Sequence, residues 1–295
     1  MALNIPPVTN HREREKGLIV YPVYSRRSEG LSVGINLFPI RKICPFDCPY
    51  CEVFPFNAEN FIGSMGSSAF SLERMETDLR EAIDTAQKRE IPIKDICFSG
   101  NGEPVLSPDF PYALKLAESI RAEAAPSAKL VIITNGAGLL QPGIFSLLKE
   151  TAVNSLMTDI WLKLDAGTPY WYQKMNRSSL SFEKLIEKIK EFVLSAPVTI
   201  QTMLCAIDRE NPPDDEARAW ETLVCELAET AREASLQEAA NRACIRKVQV
   251  YGKARAAPED PYASALPADY LKERAAALRS KFAEKGINVC VDLYL

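Results

Sequence analysis

Three cysteines fall within a single short run, Cys44-Pro-Phe-Asp-Cys48-Pro-Tyr-Cys51, spaced Cys-x3-Cys-x2-Cys. Thiolates at this density are ligands for a soft metal or an iron–sulfur cluster. As core residues they would all have to pack inward from one short turn. A structural zinc ion wants four protein ligands, usually as two pairs, so zinc here requires completion from elsewhere in the chain. A [4Fe–4S] cubane normally takes four cysteines. Three would leave one iron open to a small molecule, much as catalytic metals keep a free position. His11 is the only histidine, which argues against a histidine-based triad or a histidine-ligated metal.

Composition sets the frame for that site. The chain has 295 residues, 47% of them hydrophobic and 25% charged, with a formal net charge of −4. That is an ordinary balance for a globular protein with a sizeable core, in one large domain or two small ones. The net charge gives no general reason to expect nucleic acid or an anionic membrane. No apolar run reaches the length of a bilayer span, and the N-terminus lacks a signal-peptide pattern. Eight cysteines spread through a large chain, three of them clustered, fit a reducing cytoplasm better than a disulfide framework.

Next come the elements that must position the cysteines. Residues 1–30 read as an irregular N-terminal extension, and residues 31–295 as the main domain. Between 11 and 42, seven basic side chains face three acidic ones, the pattern of a solvated arm or an anion-binding rim. Leu31 to Phe38 begins with period-two alternation and reads as a strand that leads into the cysteine loop. Ser71 caps a helix with Leu72, Met75, Leu79, Ile83 and Ala86 on one face. Strands follow at Ile91–Phe98, Lys129–Thr134, Ile160–Leu164, Val198–Leu204 and Arg246–Tyr251, with a short last one at Val289–Leu293. Helices are expected at Asp109–Glu123, Pro142–Glu150, after Ser181, over Asp214–Ala240 and over Ala268–Glu284. The Asp214–Ala240 stretch carries eight acids against two arginines and reads as a solvated face. Strands alternating with helices give βαβ units and a parallel sheet. The fold class is therefore α/β: a partial (βα)6 TIM-like barrel, short of the eight units that close one.

In such folds ligands sit beyond the carboxyl ends of the strands, and there the unusual residues gather. The cysteines follow the first strand, and Gly100-Asn-Gly-Glu-Pro104 follows the second. Asn135-Gly136 follows the third, and Lys163 with Asp165 closes the fourth. Gly100 and Gly102 let backbone come close to a ligand. Glu103 can accept hydrogen bonds from an ammonium, and Asp165 can hold ribose hydroxyls. Taken singly, each also reads as an ordinary turn or strand-end cap.

These residues resemble the radical S-adenosylmethionine (SAM) superfamily. Its cluster motif is matched by Cys44, Cys48 and Cys51 with Tyr50 just before the third cysteine. Its Gly-Gly-Glu-Pro segment is matched by Gly100 to Pro104, with Asn101 between the glycines. The resemblance covers roughly residues 31 to 293. It implies a [4Fe–4S] cluster on Cys44, Cys48 and Cys51, with SAM chelating the open iron through its amino and carboxylate groups. One electron would split SAM into methionine and a 5′-deoxyadenosyl radical, which takes a hydrogen from substrate. It further implies Gly102 and Glu103 at the methionine amino group, with Gly100 a cofactor-binding residue of the same segment, Tyr50 near the adenine, and Asn135 and Asp165 near the ribose or carboxylate. An electron donor such as flavodoxin or ferredoxin is the implied partner. Tyr21 to Arg27, Ser32 to Leu37, Lys163-Leu-Asp-Ala and Val248-Gln-Val-Tyr with Arg255 also look like a subgroup related to the tRNA wyosine-base synthases. Those synthases carry further cysteines ahead of the motif, whereas residues 1–43 have none, and an acidic chain is a poor match for tRNA.

The leading expectation is a radical SAM enzyme of oxidoreductase or transferase type with an unidentified substrate. Alternatives are a tRNA-base modifying enzyme, a non-catalytic iron–sulfur electron carrier, and a zinc-stabilised binding module. Cys97 and Cys205 read as packing residues, and Cys225, Cys244 and Cys290 show no pairing suited to a second cluster.

Overall fold

The computed structural model describes residues 18–53, 70–237, 243–255, 257 and 262–295. The charged run His11–Lys16 and the end of the acidic stretch, 238–240, lie outside the described residues. The chain divides into two compact units. The first is Met1–Cys44 with Glu52–Ile133, and the second is Pro45–Cys51 with Thr134–Leu295.

The first unit begins with β1 (Val20–Ser25) paired antiparallel to β2 (Gly30–Ile35), from Val20 opposite Ile35 to Ser25 opposite Gly30. This corrects the irregular reading over Val20–Ser25, while residues 1–17 lie outside the described residues. Pro22 has no amide hydrogen, but β1 pairs on one side only, and an edge strand tolerates that. β2 then pairs parallel with β3 (Ile93–Phe98), and β3 with β4 (Lys129–Thr134). α1 (Leu72–Lys88) starts as expected, with Ser71 Oγ accepting from Arg74 N at 3.3 Å. Its Met75, Leu79, Ile83 and Ala86 are buried. Fully burying a Leu, Ile or Met side chain contributes about 1.5–3 kcal/mol, so this stripe fixes the helix face. α2 (Phe110–Ala124) also belongs to this unit, and Phe110 meets Phe98 of β3 edge-on at 5.5 Å.

The second unit holds β5 (Thr158–Lys163), β6 (Pro197–Leu204), β8 (Cys244–Gly252) and β10 (Cys290–Tyr294), paired parallel in that order. A two-residue antiparallel pair, β7 (Ala206–Ile207) with β9 (Ala263–Ser264), stands apart from them. Its helices are α3 (Pro142–Asn154), α4 (Pro169–Asn176), α5 (Phe182–Val193), α6 (Asp214–Gln237) and α7 (Ala268–Glu284). α5 buries Leu185, Ile186, Ile189 and Phe192 behind the Ser181 cap, as its periodicity requires. The expected solvated face of α6 needs correction, because Glu216 and Glu221 are buried. Glu216 accepts from Gly167 N at 2.6 Å and Thr168 Oγ1 at 2.5 Å, while Glu221 pairs with Arg274 at 3.3 Å and Lys281 at 3.0 Å. Charge count alone did not distinguish acids with buried partners from solvated ones. Among the described residues, no helix is long and apolar enough to cross a membrane.

Candidate cluster-binding and cofactor site

In the first unit, the turn after β3 packs on the chain just ahead of Cys44. Gly100 and Gly102 have φ of 120° and 137°, a region that L side chains rarely enter. A Cβ on Gly100 would lie 2.7 Å from Asn36 Oδ1, and one on Gly102 would lie 2.0 Å from the Ile43 carbonyl oxygen. The glycines are thus required first by the protein's own packing. Ile43 N donates to Asn101 O at 3.2 Å, and Glu103 N to Ile43 O at 2.8 Å. Asn36 secures the turn from beneath, accepting from Asn101 N at 3.0 Å and Phe38 N at 3.1 Å. Glu103 is buried, and Pro104 opens a single 3-10 turn, Pro104–Leu106. Cys44 follows Ile43 directly and is half-buried. Asn36 did not stand out in the sequence, although it lies at the end of the first expected strand.

In the second unit, the rest of the cysteine loop is held by α4 and the residues after it. Asp47 N donates to the Asn176 carbonyl at 2.9 Å, and Ser178 Oγ to the Pro45 carbonyl at 3.0 Å. Phe46 packs edge-on against Tyr172, 5.6 Å between centroids. Cys51 N donates to Cys48 O at 2.9 Å, closing the turn between two of the thiols. Burial pushes the Cys48 thiol up to about 11, helped by the neighbouring Cys51, and the Asn176 amide opposes the rise. That amide, Nδ2, lies 3.4 Å from Cys48 Sγ.

Asp165 sits under this loop, its carboxylate committed to the protein. Oδ2 accepts from the Tyr50 phenol, from Asn176 Nδ2 at 3.2 Å, and from Lys163 Nζ at 3.2 Å; Oδ1 accepts from Met203 N at 2.8 Å. Lys163 also donates to the Tyr251 hydroxyl at 2.8 Å, with its Nζ 4.9 Å from the Tyr50 ring centre. Burial alone would lower the Lys163 ammonium, but Asp165 and Tyr251 outweigh it and hold the lysine charged. Burial, reinforced by the Asp165 charge, keeps the Tyr50 phenol protonated. Asn135 is buried and forms an Asx turn, accepting from Ala137 N at 2.9 Å, with Gly136 at φ 82°.

Tyr50 and Asp165, assigned separately by the sequence, therefore touch. Gly100, Gly102 and Glu103 share one turn in the other unit, and Asn135 makes a turn of its own. Asn176 is the functional-site residue the sequence reading missed, because α4 itself was missed. The signal was Thr168-Pro169, an N-cap followed by proline at the first helical position.

The donor set fits an iron–sulfur cluster. All eight cysteines are thiols outside any disulfide, and Cys48 already receives an N–H donor of the kind that supports a ligating sulfur. Among the described residues, no three His, Cys, Asp or Glu side chains converge on the position of a single ion. A cluster takes each thiolate on a different iron and does not need that convergence.

Parallel βα units with a three-thiol loop after a strand define a class of cluster-dependent α/β proteins. The Radical SAM superfamily model matches residues 38–217, and the chain belongs to that superfamily. Two proteins of Helicobacter pylori, each named UPF0026 protein, are similar to it. That of strain J99 / ATCC 700824 is 29% identical over 195 residues, covering 64% of this chain and 54% of the relative. That of strain ATCC 700392 / 26695 is 30% identical over 200 residues, covering 65% and 56%. The chain spans about half the length of these curated relatives.

Among solved structures, Streptococcus suis SuiB bound to its precursor peptide SuiA has a TM-score of 0.59 at 14% identity, covering 91% of this chain and 50% of that one. A radical SAM methyltransferase from Sphaerobacter thermophilus gives 0.59 at 13%, covering 93% and 69%. TYW1 with a lysine-pyruvate adduct bound gives 0.53 at 13%, covering 84% and 73%. At these identities the likeness shows the fold: a curled parallel sheet in a partial α/β barrel with surrounding helices, as the sequence predicts.

Proposed function

We propose that this chain is a radical SAM enzyme that holds one [4Fe–4S] cluster on Cys44, Cys48 and Cys51 and binds S-adenosylmethionine. The observation that carries the reading is the cysteine loop itself, three thiols in one short run, with Asn176 of α4 holding the Asp47 amide and donating to Cys48 Sγ. When bound, the cluster supplies the electron that splits SAM, and the resulting 5′-deoxyadenosyl radical abstracts a hydrogen from substrate.

The chain's own residues bind and orient. Gly100, Gly102 and Glu103 are assigned to the methionine end. Tyr50, fixed by Asp165, is assigned to the adenine, and Asn135 and Asp165 to the ribose or carboxylate. Lys163 keeps its proton and places a positive charge beside Tyr50. Reduction would come from a carrier such as flavodoxin or ferredoxin, in the cytoplasm.

A second reading, modification of a tRNA base, is favoured by the likeness in fold to TYW1 and opposed by the net charge of −4. Peptide and methyl-transfer substrates are equally compatible with the fold, which hosts many chemistries.

The test is anaerobic reconstitution with iron and sulfide, then dithionite and SAM. Release of 5′-deoxyadenosine is expected, and Cys48→Ala should lose both the cluster and the cleavage. A protein that binds a cluster yet never cleaves SAM would sink the reading.

A further inference from the structure

Asn176 is the last residue of α4, and 2% of it is exposed. Its side-chain nitrogen carries two hydrogens and has two acceptors, Cys48 Sγ at 3.4 Å and Asp165 Oδ2 at 3.2 Å. Its backbone carbonyl takes the Asp47 amide at 2.9 Å, so one residue grips the cysteine loop from both side chain and main chain. Arg177, next in sequence, is left-handed at φ 43°, which turns the chain so that Ser178 can donate to the Pro45 carbonyl.

We propose that Asn176 is a positioning residue that donates a hydrogen bond to the Cys48 sulfur and thereby raises the reduction potential of the group Cys48 ligates. The inference rests on the reading of Cys44, Cys48 and Cys51 as cluster ligands. An added electron places more negative charge on ligating sulfurs, and an N–H donor stabilises the more negative state. Hydrogen bonds to sulfur are among the factors that set such potentials.

The residue type matters. An amide offers two coplanar N–H groups on a short stem, enough for sulfur and carboxylate together. Aspartate and leucine offer none, and serine offers one. Asp165 supplies the anchor, because Met203 N, Lys163 and Tyr50 already hold its carboxylate in place. The amide is thus pinned on one side by a buried charge, and its second hydrogen points at the sulfur.

The experiment is an EPR-monitored redox titration of the reconstituted full chain, comparing wild type with Asn176→Leu, Asn176→Asp and Ser178→Ala. Iron is counted in each before titration. Asn176→Leu is expected to shift the midpoint to more negative potential, and Asn176→Asp further still, since a carboxylate replaces the donor. Ser178→Ala removes a loop anchor that does not touch the thiol, so its midpoint should stay at the wild-type value. If Asn176→Leu fails to retain iron, Asn176→Ala, which likewise offers no donor, carries the same comparison. An unmoved midpoint in an Asn176 variant that holds the full cluster overturns the inference while the proposed function stands. A Ser178→Ala shift equal to that of Asn176→Leu overturns it too, because loop anchoring would then explain both. A wild-type chain that assembles no cluster overturns the proposed function, and the inference with it.

Discussion

Tyr50 donates its phenol hydrogen to Asp165 across 115 residues of sequence, joining the cysteine loop to the end of β5. The bond is buried, and three other donors share the same carboxylate. Tyr50→Phe keeps the ring and removes one donor of four. A net loss of about 0.5–1.5 kcal/mol in unfolding free energy is expected, the usual worth of one hydrogen bond whose acceptor stays satisfied. Urea unfolding of the metal-free protein under anaerobic conditions measures it.

Removing the acceptor should cost far more. Asp165→Ala takes the carboxylate from the half-buried Lys163 ammonium, leaves the Met203 amide without its acceptor, and leaves Asn176 Nδ2 only Cys48 Sγ. Breaking a buried pair from one side typically costs about 3–5 kcal/mol. The same unfolding assay should place Asp165→Ala well below Tyr50→Phe, with Asp165→Asn between them. Equal losses for Tyr50→Phe and Asp165→Ala would show that the carboxylate is not the centre of this network.

Gly102 and Gly143 make a matched pair. Gly102→Ala puts a Cβ 2.0 Å from a backbone oxygen at φ 137° and should destabilise by more than about 2 kcal/mol, as backbone strain plus a clash does. Gly143 lies in the first turn of α3 with nothing within 4 Å of an added Cβ. Gly143→Ala should stabilise by about 0.4–1 kcal/mol through the unfolded chain. Shifts in melting temperature of opposite sign are the expected result.

Glu216 gives the fold a pH dependence. Burial lifts its carboxyl from 4.5 to about 7, although Gly167 N and Thr168 donate to it. A folded value above the unfolded one means that the group's contribution to stability is fully present below about pH 4.5 and is lost as pH rises through about 7. Glu216→Gln should flatten that part of the curve of melting temperature against pH. An unchanged slope between those limits would exclude Glu216 as its source.

How much of this could be read beforehand depends on the range of the interactions. The Met75–Leu79–Ile83 stripe of α1 and the Ser181 cap of α5 are local patterns, and the structure has both where the residues placed them. β1 was lost because Pro22 breaks the strand pattern, and only pairing at one edge rescues it. α4 was lost because eight residues rich in aromatics carry little helical periodicity. The cysteines and Asp165 stood out by type and place. Tyr50 stood out as well, but not as a partner of Asp165, and Asn176 did not stand out at all, since both become neighbours of Asp165 only through the fold.

The ties that hold the cysteine loop reach far ahead along the chain. Cys48 precedes Asn176 by 128 residues, and Pro45 precedes Ser178 by 133. At a synthesis rate of about 5–20 residues per second, the thiols leave the ribosome on the order of ten seconds before the segment that clamps them exists. During that interval the nascent chain presents bare sulfur to the cell. On the proposed reading, a cluster can be clamped in this loop only once residues 176–178 have been made, and the three thiols lie most open to oxygen before then.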